Sequence, residues 1–451
     1  MQTLKGWRIS RYRWPLVITA ALVITAVFSL PPLVNFAPRD AAGILPVGVL
    51  GLDAEASHAA TLRAPLEYEL IAPVSNVLDA LTLLSPAQYA ATFALCAVTF
   101  VGLRTRRRQG LRAGIAARMF VRAALVFMGG TVAVAGIMLV ARRPMASLAL
   151  TDRDLIAIDF HSHTEASHDG RPGFSAERNR EWHTSSGFDA AYVTDHRTFD
   201  GALAGAARNP ARSGDGTVLL AGVELRDGDE HPILIGVDPK RMRITSPDWK
   251  AAAVEADGGP APPMLLLSLP GDILRIPIDE TGGTVRVAGI EVADGSPRGM
   301  AQAARDRDAI IGLAGTLHLA LISASDNHGW GRTAPAWSIM RIPGWRNMRP
   351  AELDIAIRRT IIAEGSHAID VIARRTVSPP GNMVETAAGG IMVAAVMMRT
   401  MSPLDRLSWL AWSWGLCFLS LRVASINGKK RGARGRKQVD EKLTTDIDAA
   451  A

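Results

Sequence analysis

Apolar runs about as long as a bilayer is thick, placed at both ends of the chain, limit its possible folds more than any other feature. Residues 15–37 are almost wholly apolar apart from Pro31-Pro32, and further runs occupy 83–103, 119–140 and 407–425. A hydrocarbon core takes about 20 such residues as a helix, so four spans are expected. The net charge of +7 is concentrated beside them. Lys5, Arg8, Arg11 and Arg13 precede the first run, seven arginines fall in 104–122, and six Lys/Arg fall in 429–437, all without an acid. Basic clusters next to apolar runs mark cytoplasmic flanks rather than a nucleic-acid surface, so no nucleic-acid partner is expected. A cleaved signal peptide competes for 15–37, and the later runs favour an anchor.

The charge bias predicts a multi-pass protein of a bacterial inner (cytoplasmic) membrane. Its start, its 104–122 loop and its tail lie inside, and 38–80 and 141–400 lie in the periplasm. Arg142 and Arg143 oppose this mildly. Residues 387–398 are apolar but read as too short to span. A fifth crossing there would bring the tail and the large outer region to one side. Four regions follow: 1–149 with about three spans, 150–376 of mixed composition, 377–427 as linker plus last span, and 428–451 as a basic, disordered tail. The two cysteines, Cys96 and Cys417, lie inside apolar runs and supply no zinc-thiolate site.

Within 150–376, strand-like runs are expected at 155–160, 190–194, 217–223, 232–236, 264–269, 284–291, 320–324 and 368–373. Helical patterns occupy 176–186, 299–316 and 350–364. Their alternation argues for parallel βα units, as a barrel or an open sheet.

Four clusters sit at the ends of these runs. His161-Ser-His163 leaves the first, with His168 and Asp169 just beyond; Thr194-Asp195-His196 ends the second. Gly222-Val-Glu224 is followed by His231, and Asp326-Asn-His328 closes the set. Nine of the ten histidines lie between 161 and 367, and six of them belong to these clusters. Neutral imidazole is the commonest ligand for zinc-like cations, so strand ends loaded with His and carboxylate point to a metal site. A bound cation lowers the pKa of its water from about 16 to roughly 7, which makes hydroxide available for hydrolysis. Asp195 is the neighbour best placed to orient an imidazole or carry a proton. Asp169 reads more readily as a turn carboxylate before Gly170, and Glu291 equally as a salt-bridge partner or a substrate contact. His183, His318 and His367 read as non-ligands. Arg171, Arg332 and Arg341 are candidates for a phosphate.

The ordered set His161-Ser-His163, Thr194-Asp195-His196, Gly222-Val-Glu224 with His231, and Asp326-Asn-His328 resembles the motifs of the PHP (polymerase and histidinol phosphatase) superfamily. The resemblance covers about 150–376. It implies an α/β fold, a distorted (β/α)7 TIM-like barrel, here flanked by transmembrane helices, that hydrolyses phosphoesters. Carried over, His161, His163, Glu224 and Asp326 would hold one ion, and His168, His196 and His328 another. Glu224 would bridge to a third that His231 also binds. The family's usual His or Cys before Pro is replaced in Ser268-Leu269-Pro270, so two or three divalent ions (zinc, manganese or iron) are expected, with Asp272 or water in the gap. The catalytic set is then Asp195, Glu224 and Asp326, with Arg171 and Arg332 toward the substrate phosphate. The competing readings are a metal-binding sensor or scaffold without turnover, which Leu269 motivates, and a nuclease or proofreading domain, which the membrane runs oppose.

Overall fold

The computed structural model describes residues 12–36, 59–106, 113–140, 143–226, 231–244, 249–256, 259–273, 285–377 and 382–448. Lys5, Arg8, Arg11 and Arg142, half of the 38–80 loop and residue 284 of an expected strand lie outside them. The described strands are β1 (Leu33–Phe36), β2 (Ala60–Arg63), β3 (Ser147–Leu150), β4 (Leu155–Ser162), β5 (Ala190–Val193) and β6 (Val218–Glu224). They continue with β7 (Ile233–Ile235), β8 (Met264–Leu267), β9 (Arg286–Ala293), β10 (Ala320–Ser323), β11 (Ala336–Arg341) and β12 (Asp370–Arg374).

Ten of these form one sheet in the order β1-β12-β11-β4-β5-β6-β7-β8-β9-β10. Strand β4 is buried throughout, as a strand covered on both faces must be. Ile156, Ile158 and Phe160 face the main core, while Leu155 and Ala157 face a smaller cluster with Trp182, Phe188 and Trp337. Burial of each such large side chain stabilises by about 1.5–3 kcal/mol.

The expected run of parallel units is only partly present. Pairings β4-β5-β6 and β8-β9-β10 are parallel, but β7 is antiparallel to β6 and β8, and β11 is antiparallel to β4 and β12. The link between β6 and β7 is too short to carry a crossover helix, so a hairpin forms instead. Strand β10 curls back against β4 and β11, and an isolated bridge joins Ser162 to Asn327. No continuous ladder closes this edge among the described residues, so the described strands form a curled, half-barrel mixed sheet, which is part of the expected distorted (β/α)7 barrel.

Helices Ala176–Ser186, Pro297–Leu317 and Pro350–Glu364 match their patterns. The first begins at Ser175, whose side chain accepts from the Arg178 amide, and ends at Gly187 in the left-handed region.

Among the described residues, four helices are long and apolar enough to cross a membrane: Pro86–Leu103, Ile115–Ile137, Met383–Thr400 and Pro403–Ile426. Two expectations change. The 15–37 run yields a helix of only 15 residues, Arg13–Val27. At 1.5 Å per residue it measures about 22 Å, against roughly 30 Å of hydrocarbon. The prolines at 31 and 32 stop it, and the chain continues as β1, paired antiparallel with β12. Residues 387–398, read as too short, belong to an 18-residue helix, because Met383–Thr386 and Arg399–Thr400 extend it at both ends. The basic stretch expected as a disordered tail is helical to Asp448, in keeping with its Lys, Arg, Gln and Glu content and lack of proline.

Pairing β1–β12 carries the N-terminal region across the boundary expected near residue 150, and pairing β2–β3 ends at that boundary. Between the helices and the sheet, Asp79 is buried and bonded to Arg374 (2.8 Å), Arg143 (2.5 Å), Thr333 (2.8 Å) and Tyr68 (2.9 Å). Burial pushes the Asp79 carboxyl up, and Arg374 and Arg143 outweigh it, so the group titrates below its ordinary range.

Candidate metal centre

The strand ends are locked together by backbone hydrogen bonds before any side chain is considered. The amides of Asp326 and His163 donate to the carbonyls of His161 and Asn327 (3.0 and 3.1 Å), and the amides of Thr194 and Glu224 donate to those of Ser162 and Thr194 (2.8 and 3.1 Å). Asp326 takes a positive φ of 43°, a conformation uncommon outside glycine, and Gly329 follows at 85° with Phe174 packed against it. Helix Ala176–Ser186 braces the end of β4. His183 Nε2 lies 2.8 Å from Asp159 Oδ2, and Asn179 Nδ2 donates to the His163 carbonyl at 2.8 Å. His183 thus links this helix to the Asp159 side chain of β4.

Seven of the eight residues expected to hold metal converge. His161 Nε2 lies 3.0 Å from His163 Nε2, 3.2 Å from Glu224 Oε2 and 3.7 Å from Asp326 Oδ1. His163 Nε2 lies 3.3 Å from both carboxylates. On the other side of Glu224, His196 Nδ1 is 3.2 Å from Oε2 and His231 Nδ1 is 2.8 Å from Oε1. His328 Nδ1 lies 3.4 Å from Asp326 Oδ1. The eighth, His168, is at the edge: its side chain is 75% exposed, with Nδ1 3.8 Å from Asp169 Oδ1 and its ring 4.8 Å from that of His196.

Three carboxylates join the cluster that the sequence did not single out as ligands. Asp169 places Oδ2 3.2 Å from His328 Nε2 and 3.3 Å from His196 Nε2. Glu291 Oε1 lies 2.9 Å from His161 Nδ1, while its Oε2 accepts from the Leu269 amide at 2.6 Å. Asp294, fully buried, groups with His161 and Glu291. The signal available for Glu291 and Asp294 was their position at the end of β9, equivalent to that of the other clusters.

Other expected site residues are placed elsewhere. Asp195 does not orient an imidazole: its carboxylate accepts from the amide (2.6 Å) and hydroxyl (2.8 Å) of Thr164, and Gly201 packs against it without room for a Cβ. It braces the loop that leaves His163. Arg332 is turned toward the helices, its Nε donating to the Arg143 carbonyl at 3.1 Å, and Arg341 pairs with Asp152 at 2.9 Å. Arg171 stays beside the centre, with its amide on the His328 carbonyl (2.9 Å) and Nη1 on that of Gly329 (3.3 Å).

Electrostatically the cluster is a concentration of lone pairs. Burial opposes a charged His161, yet Glu291 and Glu224 on its two nitrogens hold it well above the usual histidine range. Burial pushes His163 down to about 4. Burial raises Glu291 to about 7; Asp294 is raised further by burial together with Asp326 and Glu291. Two facing imidazole nitrogens 3.0 Å apart share at most one proton, and His328 Nε2 is buried without a hydrogen-bond donor. Groups of this kind fit divalent cations, with three overlapping sets available: His161/His163/Glu224, His163/His196/His328 and His196/Glu224/His231.

No protein-family model and no curated protein matches the chain. Among solved structures, PsfC from Pseudomonas syringae PB-5123 superposes with a TM-score of 0.35 at 15% identity, over 55% of this chain and 99% of that one. A protein assigned as a metal-dependent phosphoesterase from Bifidobacterium adolescentis gives 0.28 at 17%, over 45% and 96%. The lesion-specific endonuclease EndoQ from Pyrococcus furiosus gives 0.32 at 13%, over 48% and 57%.

Proposed function

We propose that the chain is a membrane-attached, metal-dependent phosphoesterase of the PHP type. The observation that carries this reading is the convergence of five histidines with Glu224, Asp326 and Asp169, arranged so that the lone pairs of Glu224 and Asp326 face imidazoles from four separate strand ends. His161, His163, Glu224 and Asp326 would hold one ion, and His196 and His328, with Asp169, a second. Glu224 and His231 offer a third position, which lacks a side chain from Leu269. Bound cations would supply Lewis acidity toward the phosphoryl oxygens and an activated water. The protein's own part is positional. Glu291 accepts from His161 Nδ1, which fixes the tautomer that leaves Nε2 free for a ligand bond. Arg171, at the rim, offers a guanidinium to a substrate phosphate. Topology in this reading is set by the arginine-rich 104–122 loop, taken as cytoplasmic between the candidate spans Pro86–Leu103 and Ile115–Ile137, which puts the metal domain on the periplasmic side.

The test uses the full chain, because β1 completes the sheet edge beside β12. It is purified in detergent without chelator and assayed on an aryl phosphomonoester, an aryl phosphodiester and an oligonucleotide, with manganese or zinc. Metal-dependent turnover that disappears in His161→Ala supports the proposal, and the preferred ester narrows the substrate class. Stoichiometric metal without turnover on any of the three would replace it with a metal-binding sensor.

A further inference from the structure

A second cavity, of about 550 Å³, lies between the helices and the sheet, away from the metal centre. Its volume is in the range of small-molecule sites. Its lining is mixed. Leu83, Leu84, Val393, Val396 and Met397 supply an apolar part, largely from the candidate span Met383–Thr400. Arg374, Arg375 and Glu69 supply a polar part.

The charges of the polar part are unequally satisfied. Asp79 is met by Arg374 and Arg143, and Glu69 by the Ser402 hydroxyl at 3.2 Å. Arg374, with its side chain 9% exposed, keeps a buried Nε without a hydrogen-bond partner. Arg375 Nε donates to the Pro31 carbonyl at 2.8 Å, and Arg399, which precedes the cavity-lining Thr400, donates its Nε to that of Phe28 at 2.7 Å. Neither of these two guanidinium groups has a carboxylate partner among the described residues. Burial and the Arg399 charge push the Arg375 guanidinium below its ordinary value, as expected of neighbouring cations that lack an anion.

The depth of the cavity identifies the anion's source. Arg399 ends one candidate span and Pro403 begins the next, while helix Arg13–Val27 ends beside them, with the Leu30 amide on the Arg399 carbonyl at 2.9 Å. Trp409 and Trp412, inside the span that begins at Pro403, donate indole N–H groups to Asn76 and the Leu70 carbonyl. We propose that the cavity binds an anionic membrane phospholipid, with its phosphate between Arg375 and Arg399 and one acyl chain along Leu83, Val393, Val396 and Met397.

The test uses the delipidated full chain in neutral detergent. Thermal unfolding and native mass spectrometry are followed as phosphatidylglycerol, phosphatidylcholine or inorganic phosphate is added. The expected result is saturable stabilisation by phosphatidylglycerol, with about one lipid retained per chain, and little response to the other two additives. Replacing both arginines (Arg375→Gln with Arg399→Gln) should weaken binding about thirtyfold, roughly fivefold for each arginine. Val396→Trp, which fills the apolar part, should weaken it with both arginines intact. An equal shift with inorganic phosphate would reduce the site to an anion site and overturn the lipid. Equal responses to the two lipids in the wild-type chain would show general solvation of the helices and overturn the proposal without any variant.

Discussion

At the junction between helices and sheet, the buried Asp79 carboxylate meets two guanidinium groups and two hydroxyls. At the metal centre, the ion-pair partners of Glu224 and Asp326 among the described residues are all imidazoles. Both regions bury charge in the same chain, and they neutralise it differently. In the first, the Asp79 carboxylate is satisfied by donors of the chain itself, so it holds two parts of the fold together. The second contains more acceptors than protons, so its charge balance is completed from outside, by cations. Internal compensation of a buried charge marks structure, and its lack marks a binding site.

The largest effect expected from this contrast follows metal removal. Exhaustive chelation, or His161→Ala, should bring hydrolysis to background while the chain stays folded, read by ester assay with metal content and thermal unfolding in parallel. Full activity in metal-free protein would remove the distinction between the regions. Next is Asp79→Ala, which strands Arg143 and Arg374. Breaking a buried pair in this way costs about 3–5 kcal/mol. Thermal unfolding should record that loss with metal content unchanged, and a loss of metal instead would merge the two regions into one unit.

Glu291→Gln sharpens the comparison within the centre. Loss of a carboxylate that orients a ligand histidine typically costs about 10–100-fold in metal affinity. A metal titration should show this, with a smaller change for the exposed His168→Ala. Unchanged affinity in Glu291→Gln would make Glu291 a packing residue.

The smallest effect concerns Asp189, a buried carboxylate that accepts from the Ala157 amide at 3.0 Å and belongs to neither set. Burial raises its pKa to about 6. The folded state therefore holds this proton more tightly than the unfolded state, so stability is lost as pH rises from about 4 to 6 and stays lost above. Asp189→Asn should be more stable than wild type by about 2–3 kcal/mol at pH 8 and equal to it at pH 4. Denaturant titration at both pH values measures this, and a constant difference would show that Asp189 stays ionised.

Sequence alone determined the elements whose signal is local. Apolar runs gave β4 through β10 and β12 to within a few residues, because a buried strand must be apolar along its own length. His161-Ser-His163, Thr194-Asp195-His196 and Asp326-Asn-His328 were legible because several ligands sit on one short stretch of backbone. Strand β11 was missed, and so was the pairing of β1 with β12, since an edge partner some 340 residues away leaves no periodicity in either segment. The tertiary structure alone decided the direction of β7 and the pairing that takes up the chain after Pro31-Pro32 as β1. It also decided which acids join the centre: Asp195 turns to Thr164, while Asp169 and Glu291 turn to imidazoles. A carboxylate carries no local record of the direction it faces. That depends on which donors the fold brings within about 3 Å, and those come from parts of the chain far away in sequence.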